Sequence, residues 1–515
     1  MRVCLALLSE GKRGRLVIEK QVNRFMKLGI HIFRRDFRLS DNAALYKCSK
    51  VVDRILCVFI LDVNQPSQVG INSSVVNVHS MKLMLDSLYE LNESELNGRL
   101  LVLRGKLSSV LEYLIKTYKP YAISFNNDYS EYSKIRDSLM CEIIMKMSKE
   151  QVVSLDRREE IKIIREDYEM LLDNPEEYIK SSDGRAYTVY GAYIKNLESK
   201  GLLHSTRKPF VTVGISIIYD YKKSGNSCKL EVELEKRDSY YCNREYIINR
   251  IREEARIKSD SYAMTRRQID RDQLRTASVL KFGILSAVEL FRLIHLRGEQ
   301  YVQGLHWRNF YFLIRIYNYT GYRHMDSFFS TRVKWPNLRV NYERMWVTCN
   351  TGFPIIDACV RKLKKTGWLN NRANLLVSFF SIKILHLDPF DEKYGGQVEY
   401  SKYLEYCCYA NNYCNWNFAL GVLDQGAQRY TGGRNRAGRY YDVTNIRKWD
   451  PDLNTIRCYL PELSGINDER VYNWNHENSY VNNLNVSKEV NGYPVAGIVD
   501  PKKAFEKYKK MTSTV

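Results

Sequence analysis

Thr351-Gly352-Phe353-Pro354-Ile355-Ile356-Asp357-Ala358 and Gly367-Trp368-Leu369-Asn370-Asn371-Arg372-Ala373-Asn374 fall within one run from Trp346 to Trp416, and two helices can be read from them. The first opens at Pro354, because a first helical position has no intrahelical use for the N–H that proline lacks. Gly367 ends it. Ile355, Ile356, Cys359, Val360 and Leu363 recur at helical spacing, with Arg361, Lys362, Lys364 and Lys365 on the other positions, so one face should be core and the other wet. The second helix, from about Asn370 to Leu385, is apolar almost all round and should be buried in a large core. Asn371 and Asn374 are among its polar exceptions. Three apart, they share a face, where an amide that donates and accepts can either satisfy buried backbone or meet a planar heterocycle.

These phrases, with the later Asn412-Tyr413-Cys414-Asn415-Trp416, resemble the flavin-binding half of the photolyase/cryptochrome family, and they occur in the family's order. Trp449-Asp450-Pro451 and Leu460-Pro461-Glu462-Leu463 also match, so the resemblance runs over residues 29–463.

Composition agrees with a globular protein. A chain of 515 residues can hold two to four domains, and 44% hydrophobic with 27% charged residues is neither fibrous nor disordered. Lys and Arg outnumber Asp and Glu by 79 to 59, which favours a polyanionic partner through counterion release, although basic charge alone does not define a ligand. The 38 tyrosines supply stacking faces or half-buried packing. The 12 cysteines contain no Cys-x-x-Cys pair and no metal-ligand spacing, even at Cys407, Cys408 and Cys414, so we expect a reduced, intracellular chain without a metal. No apolar run approaches the roughly 18 residues of a membrane span. Residues 1–28 read as an N-terminal extension.

From residue 29, apolar runs at 30–34, 55–61, 100–103, 122–125 and 152–155 alternate with helix-length segments near 75–95, 107–118 and 132–149. That alternation predicts an α/β domain over 29–165 with a doubly wound parallel sheet. The run from His31 to Leu45 resembles the opening of the family's antenna domain; taken without the family, it is a basic loop in which Asp41 caps the following helix. Residues 166–250 show no sustained period and are expected to connect the domains; they include Tyr187-Thr188-Val189-Tyr190-Gly191-Ala192-Tyr193. Residues 251–515 are expected to form a larger all-α, FAD-binding domain, with an exposed basic loop from Arg429 to Arg439.

The resemblance implies roles for single residues. Tyr262, Asp272, Ser278, Arg308, Asn371, Asn374 and Asn412 match FAD-binding positions, with Asn412 at the flavin N5, where a neutral amide suits the reduced ring. Arg266, Trp307, Asn371, Arg372 and Phe418 match the lesion pocket. Trp416 and Trp335 fit the inner and outer members of an electron relay whose middle position reads Asp388-Pro389-Phe390. Some positions depart from the family. Leu274 and Arg275 replace Thr-Ser in the phosphate segment, and Arg275 can supply a charge-assisted contact instead. Gly304 replaces a Glu or Gln that contacts the lesion. Asn374 and Tyr406 together replace a buried Arg–Asp pair, which leaves no lone charge behind, and Cys408 replaces a second Asp.

The implied activity is light-driven DNA repair, in which excited reduced FAD gives an electron to a cyclobutane pyrimidine dimer flipped from the stack and recovers it after the ring opens. Enzymes of the family that act on the (6-4) photoproduct place two histidines where this chain has Asn371 and Leu375, so the cyclobutane dimer is the expected substrate. FAD, an antenna chromophore (folate or deazaflavin) and damaged DNA are the implied ligands, with the protein a monomer. Two alternatives stay open: a cryptochrome-type blue-light receptor that signals through a protein partner, and a DNA-binding relative that no longer repairs.

Overall fold

The computed structural model describes residues 26–63, 78–128, 131–155, 160–167, 170–172, 178–179, 184–187, 189–212, 216–218, 231–236, 240–257, 268–270, 275–297, 299–317, 335–336, 339–387, 440–475 and 489–513. Five strands, β1 (Leu28–Phe33), β2 (Arg54–Asp62), β3 (Leu100–Gly105), β4 (Ala122–Asn126) and β5 (Lys162–Glu166), pair in parallel in the order β3-β2-β1-β4-β5. Neighbouring side chains of the inner strands go to opposite faces. Leu56, Val58 and Ile123 join one apolar cluster with α3 (Leu107–Tyr118) and α4 (Glu131–Leu155), while Ile55, Cys57 and Phe59 join another with α1 (Ala43–Ser49) and α2 (Val78–Glu90). Covered on both faces, the strands can be apolar nearly throughout.

The sequence misplaces one strand and one cap. Val152–Leu155 is the end of α4, and the edge strand is Lys162–Glu166, whose Ile163 pairs with Ile123. A four-residue β-rich run cannot be told from the last turn of a long helix by periodicity. The cap of α1 is Asn42, whose side chain accepts from the Leu45 N–H. Asp41, at φ 46, instead accepts from Arg207 at 2.6 Å, a buried pair that ties the connecting segment to the sheet domain. The described residues of that segment include regular structure its composition does not suggest: α5 (Tyr190–Ser199), and α6 (Arg244–Ile257), which begins before residue 250.

Beyond α6 come α7 (Thr276–Lys281), α8 (Ala287–Ile294), α9 (Glu299–Tyr317), α10 (Arg339–Thr348), α11 (Pro354–Thr366) and α12 (Asn371–Phe379), the last running into a π turn at Phe380–Ile384. Short helices α13 (Ile446–Trp449), α14 (Asn454–Tyr459) and α15 (Asp468–Tyr472) and a two-stranded ribbon, β6 (Glu489–Val490) with β7 (Tyr493–Pro494), precede α16 (Pro501–Ser513). The α11 boundaries are as expected. Pro354 is in its first turn, and Gly367 closes it at φ 71 with its N–H on the Leu363 carbonyl. Its basic face, however, is largely covered: Lys362 is buried against Trp368 and Arg361 pairs with Glu462 at 2.8 Å.

Gly283 joins the sheet domain to the helices. Phe37 N–H donates to Phe282 O (2.9 Å), Arg38 Nη1 donates to Gly283 O (2.8 Å), and the Phe37 and Phe282 rings stack. Gly283 has φ +66, and a Cβ there would come within 2.3 Å of Arg35 O, so a side chain would push the two parts apart.

At the start of α11, fully buried Asp357 accepts from the Thr351 N–H (2.9 Å), the Thr351 hydroxyl (2.9 Å) and the Tyr493 hydroxyl (2.6 Å). This pins the ribbon to the helix. Burial raises the Asp357 carboxyl to about 6 against the pull of these donors. Because the folded value lies above the unfolded one, its contribution is complete below about pH 4 and declines as pH rises through about 6. Thermal melts across this range should show that Asp357→Asn, which still accepts a hydrogen bond, flattens this part of the pH profile. Asp357→Ala, which leaves the donors unpaired, should cost about 1–3 kcal/mol at pH 7.

Candidate functional site

Two short stretches converge on the start of α12. Asn370 is its N-cap: Oδ1 accepts from the Ala373 N–H at 2.9 Å, while Nδ2 donates to Gln268 O at 2.8 Å. One side chain therefore both starts the helix and fixes the 268–270 turn, which is also held by Ile269 N–H on Trp449 O (2.9 Å). Trp368, just before the cap, is buried between two cations, with Arg275 at 5.1 Å and Lys362 at 5.5 Å from its ring. Arg275 is also the cap residue of α7, in which Ser278 is buried.

The two asparagines differ. Asn371, the first residue of α12, is exposed, whereas Asn374 is buried one turn on. Asn374 Oδ1 is enclosed and has no hydrogen-bond partner among the described residues. A buried amide oxygen without a donor is costly unless a ligand supplies one. Arg372 is half-buried, its guanidinium 5.9 Å from the Trp449 ring.

Trp307 and Arg308 belong to another cluster, on α9. The Trp307 ring stacks on Tyr190 with centroids 3.6 Å apart and planes 4° apart, and Arg308 lies 4.6 Å from the Phe312 ring. Trp335 is half-buried against the helical core, and its Nε1 has no partner among the described residues. Tyr262, Arg266, Asp272, Asn412, Trp416 and Phe418 lie outside the described residues, as do Leu274, Tyr406 and Cys408.

Two groups were not anticipated. Asn370, adjacent to the asparagines singled out, has the capping geometry that an Asn before an apolar run can signal. Tyr190 sits in a quoted run whose partner is far away in sequence.

The histidines nearest the motifs are not acids. Burial pushes His306 and His386 down to about 4, and their Nε2 atoms bond the carbonyls of Leu203 and Ala504, each at 2.9 Å. Burial also pushes the Cys242, Cys349 and Cys359 thiols up to about 12.

In the sheet domain, β1 and β4 are adjacent but their connections leave in opposite directions, and the carboxyl ends at such a switch point are where open α/β sheets bind ligands. Arg34 pairs there with Asp137 at 2.5 Å and lies 4.2 Å from the Phe125 ring, while Arg35 pairs with Asp128 at 2.6 Å.

Comparison with known proteins agrees with this arrangement. Residues 29–210 match the family model described as DNA photolyase, and residues 301–514 match the FAD binding domain of DNA photolyase. The chain is 25% identical to the deoxyribodipyrimidine photo-lyase of Buchnera aphidicola, over 87% of this chain and 91% of the relative. It is 25% identical to mouse Cryptochrome-1, over 87% of this chain and 73% of the relative. Among solved structures, the Sulfolobus tokodaii photolyase, whose crystal structure has two FAD molecules, superposes with TM-score 0.70 at 21% identity, covering 95% of this chain and 100% of that one. The Synechocystis cryptochrome gives 0.71 at 19%, with 94% and 99% covered.

Denaturant unfolding of Asn370→Ala should show a loss of about 1–2 kcal/mol, and hydrogen exchange at the Ala373 amide should quicken, because the cap and the tie to Gln268 go together.

Proposed function

The chain belongs to the photolyase/cryptochrome family, and we propose that it repairs DNA in light by splitting cyclobutane pyrimidine dimers with an electron from reduced FAD. The observation that carries the choice of lesion is the pair of positions 371 and 375 on α12, an exposed amide and a buried leucine, neither able to donate an acidic proton. His306 and His386 do not replace the missing acid, since both are neutral near pH 7 and bonded to backbone. A reaction needing only an electron fits this set, and one needing proton transfer to the lesion does not.

The bound flavin supplies that electron on excitation, and the chain's residues bind and orient. Arg275 and Lys362, held at Trp368, suit the diphosphate, and buried Ser278 adds a hydroxyl. The orphaned Asn374 Oδ1 suits a ring N–H donor. Asp272, Tyr262, Arg308, Asn371 and Asn412 complete our assignment of the FAD positions. Trp307 offers the base-stacking face, with Arg372 and Arg266 on the phosphates and Phe418 also at the lesion. Trp416 and Trp335 serve as relay members. An antenna chromophore, folate or deazaflavin, is assigned to the carboxyl ends of β1 and β4. The protein is read as an intracellular monomer; among the described residues no helix is long and apolar enough to cross a membrane.

A photoreceptor that signals to a protein partner is the second reading, favoured by the equal identity to mouse Cryptochrome-1 and to the Buchnera enzyme. Illumination separates the two. Protein carrying reduced FAD should restore cyclobutane-dimer DNA and leave (6-4) DNA unchanged; light-induced spectral change without repair would favour the receptor. Asn374→Leu should weaken FAD binding roughly tenfold, by losing one buried hydrogen bond. In a salt titration of lesion-DNA binding, Arg372→Ala should lower affinity and reduce the slope by about 0.9, the value of one phosphate contact.

A further inference from the structure

Where the π turn that follows α12 meets α16, a partly open cavity of about 200 Å³ lies between them. Leu385, Leu387, Val499 and Ala504 line it together with Tyr342 of α10, so much of its wall is apolar. None of its lining residues holds a position assigned above to FAD, the lesion or the relay. Asp500, Lys503 and Lys507 bring charge to it, two lysines against one carboxylate. The carboxylate is already engaged at the start of α16, where Asp500 Oδ1 accepts from the Lys502 and Lys503 N–H groups at 3.0 and 3.1 Å. Lys503 Nζ lies 3.8 Å from Asp500 Oδ2, and exposed Lys507 has no ion pair among the described residues. The charge balance of the lining therefore favours an anion.

His386, which also lines the cavity, sits in a backbone conformation that a side chain adopts only at a cost. It follows the helix end at φ +55, where glycine or asparagine is usual, and for another residue the left-handed region costs on the order of 1–2 kcal/mol. One use of the imidazole is structural, since Nε2 bonds Ala504 O at 2.9 Å and ties the helix end to α16. A carbonyl only accepts, so Nε2 carries the proton and Nδ1 is left as an acceptor. Burial, with the Lys507 charge adding to it, holds the imidazole down to about 4 against the bond to Ala504, so it is neutral near pH 7. Nδ1 has no hydrogen-bond partner among the described residues. A neutral acceptor beside two ammonium groups calls for a ligand that carries both a donor and a negative charge.

We propose that this cavity is a second ligand site, for a small aromatic carboxylate with a hydroxyl or N–H on its ring: the carboxylate meets Lys503 and Lys507, the ring lies on the leucines, and the donor meets His386 Nδ1. The size agrees, because 200 Å³ exceeds the roughly 150 Å³ that holds a benzene ring and leaves room for small substituents. Each part of such a molecule answers one feature of the lining. Apolar wall is removed from water, the excess positive charge is matched, and the free nitrogen of His386 is satisfied. The site takes no part in the electron step or in DNA contact, and the inference does not rest on the proposed function.

The test titrates the full-length protein, loaded with FAD, with 4-hydroxybenzoate, followed by calorimetry or by saturation-transfer NMR of the ligand. Binding should saturate at one site per chain. Benzoate, which lacks the hydroxyl, should bind about two- to tenfold more weakly, the range of one hydrogen bond. Methyl 4-hydroxybenzoate, which lacks the charge, should lose about two- to fivefold, the range of a largely exposed ion pair. Lys507→Ala should impose a loss in that range on 4-hydroxybenzoate and none on the ester, and Lys507→Gln takes its place should that variant fail to fold. Absence of saturable binding overturns the site. So does an affinity that stays the same on loss of the hydroxyl, of the ligand's charge or of Lys507, since the ligand would then be held elsewhere or by other groups.

Discussion

A helix enclosed after its first two residues must have every later polar atom on it accounted for, and α12 with its π turn imposes that constraint on the molecule. Residues 373–387 are buried throughout, packed by α11 and by Phe505 and Tyr508 of α16. Ser378 returns its hydroxyl to the Asn374 carbonyl at 2.9 Å, and Asn370 satisfies the first turn. The Lys383 ammonium lies 5.7 Å from the Tyr508 ring. Two polar atoms remain, the Asn374 Oδ1 and the Ser381 hydroxyl, each buried without a hydrogen-bond partner among the described residues. Full enclosure also explains why the ribbon and the residues on either side of it are fastened to the start of α11: Asn475 Nδ2 donates to Gly352 O at 2.8 Å, Ile498 N–H donates to Thr351 O at 3.0 Å, and Tyr493 reaches Asp357.

The same economy governs the junction with the sheet domain. Gly283 allows two backbones to meet, and around it Glu289 gathers Arg244, Ser40 and its own helix cap at Ser286. Burial would raise the Glu289 carboxyl, but Arg244 and Arg38 hold it below the usual range, so the charge is kept and shared between the two parts. Buried pairs of this kind specify geometry more than they add stability. They fix α6 and α8 relative to the sheet domain.

The described part of the site is chemically quiet. Arg275 and Lys362 are held at an aromatic ring, and burial pushes the His306 imidazole down and the Cys359 thiol up. Such an environment can bind anions and stack planar rings.

Much of this was legible from sequence because it depends on local rules. Pro354 and Gly367 bound a helix through backbone chemistry confined to a few residues, and apolar runs become strands when both faces of a sheet are covered. The family's ordered motifs identified the flavin-binding half for the same reason, as each is a short contiguous phrase. What needed tertiary structure depends on partners far away in the chain. Val152–Leu155 continues a helix because the edge of the sheet is filled by Lys162–Glu166. Asp41 gives up the cap because Arg207 reaches it, and Lys362 leaves the wet face because Trp368 lies over it. Asn371 and Asn374 share a helical face yet differ in burial, since only the second lies past the first turn, within the core. Tyr190, read in sequence as part of a connection, acquires its place only when α5 docks on α9 and its ring meets Trp307; the spacing of residues within either helix does not encode a contact between them.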